Sequence, residues 1–308
     1  MKIGAIDIGS YSVRLTVAER EGKDVRILLE KGRITSLGSG VKESGLLRED
    51  RIKETLRVLE EYRRDIRELG VKKVVCVATE ALRRAGNAEE FIDRVRDKTG
   101  IHVRLISPEE EGELSFLGAC YSLRCLGNVL VVDQGGGSTE FVFGSGLKVD
   151  KIFSLPVGIV SLTEAFLKHD PPTEEEVRDL FAFLRERISA VEGNPEYVIG
   201  LGGTITTLAA LEMGVYPYDP AKVQGVRLSL ETVSAWFDKL SSLSSRERSE
   251  RFPQIEDRRA EVIPSGVAMF VVVLERFRKR ELTVSDWGLK HGLIIKELFT
   301  PEELCAII

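Results

Sequence analysis

The most constraining feature of this chain is that it repeats itself. Residues Ala5-Ile6-Asp7-Ile8-Gly9-Ser10-Tyr11-Ser12-Val13-Arg14 align with Val131-Val132-Asp133-Gln134-Gly135-Gly136-Gly137-Ser138-Thr139-Glu140, so that Asp7 meets Asp133 at an offset of 126 residues. Each copy reads as an apolar strand ending in Asp, a small-residue turn and a second strand, Val13 to Ala18 in one and Glu140 to Phe143 in the other. Turns of this kind call for Gly or Ser, which admit positive φ and close backbone approach. A second pair recurs at nearly the same offset. Val71 to Ala78 predicts a buried strand running into Thr79-Glu80-Ala81-Leu82 and a helix, and Glu196 to Leu201 another running into Gly202-Gly203-Thr204-Ile205 and a helix through Leu211. Two halves so built predict a duplicated α/β chain, residues 1–127 and 128–308, divided at Leu126-Gly127-Asn128 with a cleft between the halves.

Helices fill the remainder. Ile52, Leu56, Leu59, Tyr62, Ile66 and Leu69 keep the spacing of one buried helical face, as do Val177, Phe181, Leu184, Ile188 and Val191. Thr173 with Glu176 reads as a capping box. Ser107-Pro108-Glu109-Glu110 reads as another helix start, and Pro264 as a break or a beginning of the helix carrying Val267 to Phe277.

Composition narrows the function classes. The net charge of −5, with no block of consecutive Lys or Arg, argues against a nucleic-acid partner but leaves room for a small polyanion in a local arginine pocket. The longest apolar run, Val267 to Leu274, is far too short to span a membrane, and the N-terminus enters a patterned strand directly, so a cytoplasmic protein without membrane attachment is expected. Cys76, Cys120, Cys125 and Cys305 lack metal spacing and read as core thiols rather than disulfides. Few Asn and Gln against many ions resembles the thermophile pattern. His102, His169 and His291 show no ligand spacing and read as incidental.

A strand-Asp-turn-strand hairpin occurring twice can cradle phosphates, because turn amides converge on phosphate oxygens while the Asp holds a divalent cation or a water. The third loop, Gly200-Leu201-Gly202-Gly203-Thr204, opens a helix whose amides and dipole favour an anion. Any one such loop is also what a simple turn looks like; three in a duplicated arrangement are harder to dismiss.

This arrangement resembles the superfamily of actin, sugar kinases and heat-shock chaperone ATPases, and within it the exopolyphosphatase / guanosine pentaphosphate phosphatase family in a short two-domain form. The resemblance is carried by Asp7 to Leu15, Ala78 to Ala85 with Asn87, Ile106 to Gly112, Asp133 to Glu140, Gly200 to Thr204, Asp257-Arg258-Arg259-Ala260 and Asp286-Trp287-Gly288-Leu289. It implies two actin-like, ribonuclease-H-like α/β domains with mixed sheets flanked by helices around an interdomain cleft. Several positions depart from the family pattern: Tyr11 for Asn, Gln134 for Ile, Glu113 for Arg, and Lys290-His291 for Arg-Glu. The short form is expected to lack the extra C-terminal helical domain of longer relatives, which bears on long-chain processivity.

The resemblance implies Glu111 as the base that activates water, with Glu140 as second catalytic candidate. Read from the residues alone, Glu109, Glu110 and Glu111 are also what a helix dipole favours in a first turn. Ser10, Tyr11, Ser12, Arg14, Gly135, Gly136, Gly137, Ser138, Gly202, Gly203, Thr204 and Arg259 are expected to bind phosphate, with Arg33, Arg83 and Arg84 at the rim. Asp133, Glu140 and Asp7 are expected to hold Mg²⁺ or another divalent cation; for Asp7, capping of its own turn is an equal alternative. The expected activity is release of the terminal phosphate from inorganic polyphosphate, guanosine pentaphosphate or both, by a monomer or homodimer. The alternatives are a non-catalytic regulator binding guanosine penta- or tetraphosphate in the same pocket, and an ATPase or kinase of the wider superfamily.

Overall fold

Each copy of the repeat folds as an antiparallel meander extended by parallel strands, and the second sheet ends in one more antiparallel strand. The structure is a computed structural model and describes residues 1–307. Strands β1 (Lys2–Ile8), β2 (Ser12–Glu21) and β3 (Asp24–Ile34) open the chain, followed by helices α1 (Val41–Ser44) and α2 (Glu49–Glu68). Then come β4 (Lys73–Ala78), α3 (Glu80–Arg84), α4 (Ala88–Thr99), β5 (Val103–Leu105) and α5 (Pro108–Leu123). The second pass gives β6 (Asn128–Gln134), β7 (Thr139–Ser145), β8 (Lys148–Leu155), α6 (Ile159–Phe166), α7 (Glu174–Ser189), β9 (Tyr197–Leu201) and α8 (Gly203–Glu212). It continues through α9 (Pro220–Val223), β10 (Arg227–Ser229), α10 (Leu230–Ser241), α11 (Ser245–Arg251), α12 (Asp257–Arg276) and β11 (Glu281–Val284) to α13 (Leu289–Leu298) and α14 (Pro301–Cys305).

The first sheet has the order β3-β2-β1-β4-β5 and the second β10-β11-β9-β6-β7-β8. In both, the repeat's first strand pairs antiparallel with the second and parallel with the strand that follows the first helices. These are two mixed, helix-flanked sheets of the actin-like kind. Strands β3 and β8 complete the meanders, beyond the two strands that the repeat pattern predicts for each copy. Their turns carry Gly22 and Gly146, both at positive φ, a conformation that glycine adopts without steric cost.

The chain forms two compact units, residues 1–118 together with the segment from Leu289 onward, and residues 119–288. The expected division at 127/128 differs from this: the observed one falls within α5, and the C-terminal segment belongs with the first unit. The reason is apolar. Leu289, Leu293 and Ile294 of α13 share a buried cluster with Ile3, Ala5, Ala18, Val77, Ile106 and Leu114. Gly292 lets α13 lie directly on α5, since a Cβ there would overlap the Leu114 carbonyl.

In the first unit α2 buries Ile52, Leu56, Leu59, Tyr62 and Ile66, as its spacing predicts. The Tyr62 hydroxyl donates to the Val13 carbonyl at 3.0 Å, tying the helix under the β1–β2 hairpin. In the second unit the Thr173–Glu176 capping box opens α7 as expected. Pro264 neither breaks nor begins its helix but lies inside α12. A proline there has no N–H for the carbonyl four residues earlier, which is that of Ala260. Buried Arg248 supplies the missing donor, its Nη1 reaching the Ala260 carbonyl at 2.7 Å. No helix among the described residues is long and apolar enough to cross a membrane.

His291 is not incidental. It is 1 % exposed, and its Nε2 lies 2.9 Å from Glu30 Oε1. The same oxygen accepts from Thr16 Oγ1 at 3.1 Å and from Lys290 Nζ. The dipeptide that departs from the family pattern thus clasps α13 to β2 and β3 through one carboxylate. Burial works against the charged form of Glu30, but the His291 hydrogen bond and the Lys290 charge outweigh it and hold this carboxyl well below the usual range.

A carboxyl so depressed stabilises the fold above its unfolded-state value near 4.5, and that contribution fades as pH falls towards the folded-state value. Glu30→Gln should therefore cost about 1–3 kcal/mol at pH 7, the range for stranding buried donors. The deficit should narrow below about pH 4.5. Urea unfolding of both proteins at pH 7, 5 and 3 measures it; a deficit independent of pH would remove the charge from this account.

Candidate active site

Both repeat turns are built alike. Gly9 N donates to the Ser12 carbonyl at 3.0 Å, and Gly135 N to that of Ser138 at 2.9 Å. Behind the first turn, the Tyr11 carbonyl accepts from Thr35 N and Ser36 N, and the Ser10 carbonyl from Gly38 N. Behind the second, the Gly135 and Gly136 carbonyls accept from Ile159 N at 3.1 Å and Val160 N at 3.0 Å. In each unit, the segment following the meander's third strand takes up the turn's acceptors. A turn whose carbonyls are occupied from behind presents amide polarity, which suits a phosphate.

The glycines serve approach rather than left-handed backbone. No residue of either turn has positive φ, so that part of the sequence expectation is corrected. Close contact explains the glycines nearby instead. A Cβ on Gly158 would overlap the backbone of Gly136 and Gly137, and one on Gly38 would lie 2.8 Å from Ser10 Cβ. Tyr11 is buried at 7 % exposure; its carbonyl, rather than an exposed ring, is what the brace uses.

In the second unit the expected residues converge. A Cβ on Gly202, whose φ is +101°, would overlap the Gln134 carbonyl, which brings the third glycine loop against the end of β6. Arg259, in the first turn of α12, lies over this loop at the N-terminus of α8, where a Cβ on Gly203 would overlap its guanidinium. Thr204 packs on Gly266 of α12, and Gln134 Nε2 donates to the Gly266 carbonyl at 3.1 Å. The Gln that departs from the family pattern therefore ties the second loop to α12.

Asp133 and Glu140 are direct partners in the β6–β7 register, so their side chains leave the same face of the sheet. Glu140 is 1 % exposed and accepts from Ser154 Oγ at 2.9 Å. Two carboxylates directly opposite each other repel, and a pair of hard oxygen donors with one member buried fits a divalent cation such as Mg²⁺. The same register position in the first unit pairs Asp7 with Arg14. There the opposite charges offset each other, and Arg14 Nε also reaches Ser12 Oγ at 3.3 Å.

Glu111 lies in the first unit, in the first turn of α5, and is buried at 8 % exposure. Arg83 Nη1 donates to its Oε2 at 2.8 Å and to the Ile106 carbonyl at 3.0 Å, while Arg83 Nη2 reaches Glu80 Oε2 at 3.2 Å. Arg84 pairs with Glu80 as well. Arg83 is more than a rim residue, since it fixes the Glu111 carboxylate and Glu80 fixes it in turn, whereas Arg84 is exposed. The two neighbouring acids differ. Glu109 is exposed, and the hydrogen bond from its own amide holds its carboxyl below the usual range. Glu110 is lowered mainly by Arg104, which donates at 2.6 Å. Glu113 is exposed; two residues on, it points some 200° around the helix from Glu111, so its charge reversal faces away from that side chain. Arg33 is exposed, and Asn87 makes a reciprocal pair of hydrogen bonds with the Leu47 backbone, a structural role.

Comparisons with known proteins agree with this architecture. The model of the Ppx/GppA phosphatase family matches residues 16–300. The chain is 32 % identical to "Exopolyphosphatase 2" of Mycobacterium tuberculosis, across 96 % of this chain and 98 % of the relative. It is 30 % identical to the "Bifunctional 3-dehydroquinate synthase/phosphatase" of Fusobacterium nucleatum, covering 95 % of this chain but only 46 % of that longer protein. A crystal structure of the Aquifex aeolicus member of the Ppx/GppA family is 56 % identical, with a TM-score of 0.85 over 96 % of this chain and 97 % of that one. An exopolyphosphatase from Cytophaga hutchinsonii is 26 % identical with a TM-score of 0.88, covering 97 % of this chain and 98 % of that one.

The brace behind the second turn can be tested with one methyl group. Gly158→Ala should push the backbone of residues 136 and 137, costing about 1–3 kcal/mol as overpacking does and weakening orthophosphate binding by calorimetry. Gly4→Ala, whose Cβ would meet nothing nearer than 3.6 Å, should change neither. Equal effects of the two substitutions would mean that the brace does not shape the turn.

Proposed function

Because the chain belongs to the Ppx/GppA phosphatase family, we propose that it hydrolyses the terminal phosphoanhydride of inorganic polyphosphate, guanosine pentaphosphate or both. The observation that carries this reading is the gathering, in one unit, of a braced phosphate turn, a second glycine loop at a helix N-terminus, Arg259 and an acidic pair. Such hydrolysis needs a held phosphate, a positioned water, an acceptor for the water's proton and neutralisation of charge on the transferring group.

The amides of Ser10, Tyr11 and Ser12, of Gly136, Gly137 and Ser138, and of Gly202, Gly203 and Thr204 serve the phosphates, while the Gly135 amide closes its own turn. Arg14 and Arg259 supply guanidinium contacts. Asp133 and Glu140 would hold Mg²⁺, which neutralises phosphate charge when bound; Asp7, facing Arg14, would assist from the first repeat. Glu111 accepts the proton of the attacking water, with Arg83 keeping its carboxylate in one orientation. Polyphosphate is favoured by the name and near-complete coverage of the Mycobacterium relative; guanosine pentaphosphate presents the same terminal group. The free thiols fit a cytoplasmic setting.

Three measurements test the proposal. Phosphate release from polyphosphates of graded length and from guanosine pentaphosphate, with and without Mg²⁺, ranks the substrates. No release from any of them would reduce the protein to a binding role. Glu111→Gln should lower kcat by about 10²–10⁴-fold, the usual cost of losing a base, with affinity held. Glu109→Gln and Glu110→Gln, removing the same charge from the same turn, should retain near-normal turnover. Asp133→Asn should flatten the Mg²⁺ dependence. If the three glutamate variants behave alike, Glu111 is only a helix-end charge and Glu140 becomes the next candidate.

A further inference from the structure

Helix α5 ends in a turn that brings two cysteines together. Arg124 adopts a left-handed conformation at φ 51°. Cys125 N donates to the Cys120 carbonyl at 3.0 Å, the long closing bond of a Schellman cap. In that motif the residue two past the helix end packs on the residue that supplies the accepting carbonyl, and here these are Cys125 and Cys120. A contact usually made by two hydrophobic side chains is made by two thiols.

We propose that Cys120 and Cys125 are an oxidative modification site, a dithiol that a hydroperoxide converts to an intramolecular disulfide, with Cys125 attacking and Cys120 resolving. The roles follow from the surroundings. Cys125 stands between exposed Arg124 and exposed Leu126 and is itself 3 % exposed, one layer beneath the surface, whereas Cys120 is fully buried inside the helix. That depth admits a small hydroperoxide and excludes a bulky disulfide. The hydrogen bond from the Cys120 thiol, assisted by Tyr197, draws the Cys125 thiol below its ordinary range. Donating that bond, and then burial, push Cys120 up. The lower thiol is the better nucleophile towards peroxide. Cys76 has neither advantage, because burial and then the Asp7 charge push its thiol up.

The chemistry balances. The Cys125 thiolate attacks one peroxide oxygen, the O–O bond breaks, and the departing hydroxide or alkoxide takes a proton. Cys125 is left as a sulfenic acid, oxidised by two electrons. The Cys120 sulfur then attacks the Cys125 sulfur, forming S–S and breaking S–O, and the released hydroxide leaves as water with the Cys120 proton. Two thiols and one hydroperoxide give one disulfide, one water, and a second water or an alcohol. The product would staple the end of α5 to the segment entering β6, the strand that carries Asp133 near its end.

Arg124 makes the test simple, because trypsin cuts between the two cysteines. In a Cys305→Ser background, which removes the exposed thiol of α14, hydrogen peroxide should lower the thiols titrated after denaturation from three to one per chain. Peptides 105–124 and 125–148 should then run as one linked species that a reductant separates. Amide exchange across residues 124–127 should slow on oxidation and recover on reduction. Cys120→Ser should trap a sulfenic acid at Cys125, detected by a dimedone adduct, and Cys125→Ser should leave Cys120 unmodified. Three surviving thiols, a link through Cys76, or stable over-oxidation of Cys125 without the cross-link would each overturn the proposal.

Discussion

The carbonyl groups of the two repeat turns determine much of the rest of the structure. A hairpin turn exposes donors and acceptors together, and the acceptors repel any anion that approaches. In each unit the chain resolves this by returning after the third strand of the meander and laying amides against those carbonyls, from residues 35 to 38 in one case and 159 to 160 in the other. The requirement reaches outward. The return segment must come close enough to bond, so Gly38 and Gly158 carry no side chain. It must start at the end of a third strand, so β3 and β8 are needed to deliver it. A helix then lies under the hairpin, as α2 does through the Tyr62 hydroxyl in the first unit.

This explains what the sequence could and could not reveal. The repeat, the α2 face and the Thr173 capping box are local patterns, written in consecutive or helically spaced residues, and they can be read directly. The brace depends on pairs far apart in sequence and on backbone groups that every residue possesses, so no side-chain pattern announces it. Strands β3 and β8 were hard to see for a related reason. In β3, Arg26, Gly32 and Arg33 are exposed and most of the others half-buried, which blurs the alternation that marks a strand. Pro264 misled because the rule against proline inside a helix concerns a stranded carbonyl, and Arg248, sixteen positions earlier, satisfies it from another element.

The candidate site was partly legible for the same reason. Glycine loops and neighbouring carboxylates form strings that stand out in one sequence. The arginine that orients Glu111 does not, because Arg83 is one arginine among many until the fold places it 2.8 Å from that carboxylate. His291 belongs here too. A lone histidine without ligand spacing carries little information in sequence; opposite Glu30 and next to Lys290 it becomes part of the clasp on α13. Helix α13 in turn packs on α5 through Gly292, one turn beyond Glu111. The position of the proposed base therefore depends on a contact made near the other end of the chain.

Duplication alone would make the two hairpins interchangeable, and the register shows that they are not. The residue seven beyond the repeat's Asp stands directly opposite it in both units, as Arg14 in the first and as Glu140 in the second. One copy pairs opposite charges and offers a guanidinium beside its turn. The other places two carboxylates together, one of them buried, an arrangement whose repulsion a divalent cation relieves. A phosphoanhydride carries negative charge on every phosphate, and releasing its last one needs charge neutralisation of two kinds: fork-like donors to hold oxygens, and a metal whose position is fixed by acids. A single difference of residue type at one register position gives the two hairpins opposite kinds of charge. On this reading the exchange of Arg14 and Glu140 between the units would not conserve function even though it conserves net charge, because each turn's neighbours are built for the charge it now has. Ser154 already donates to Glu140, and Arg14 already reaches Ser12.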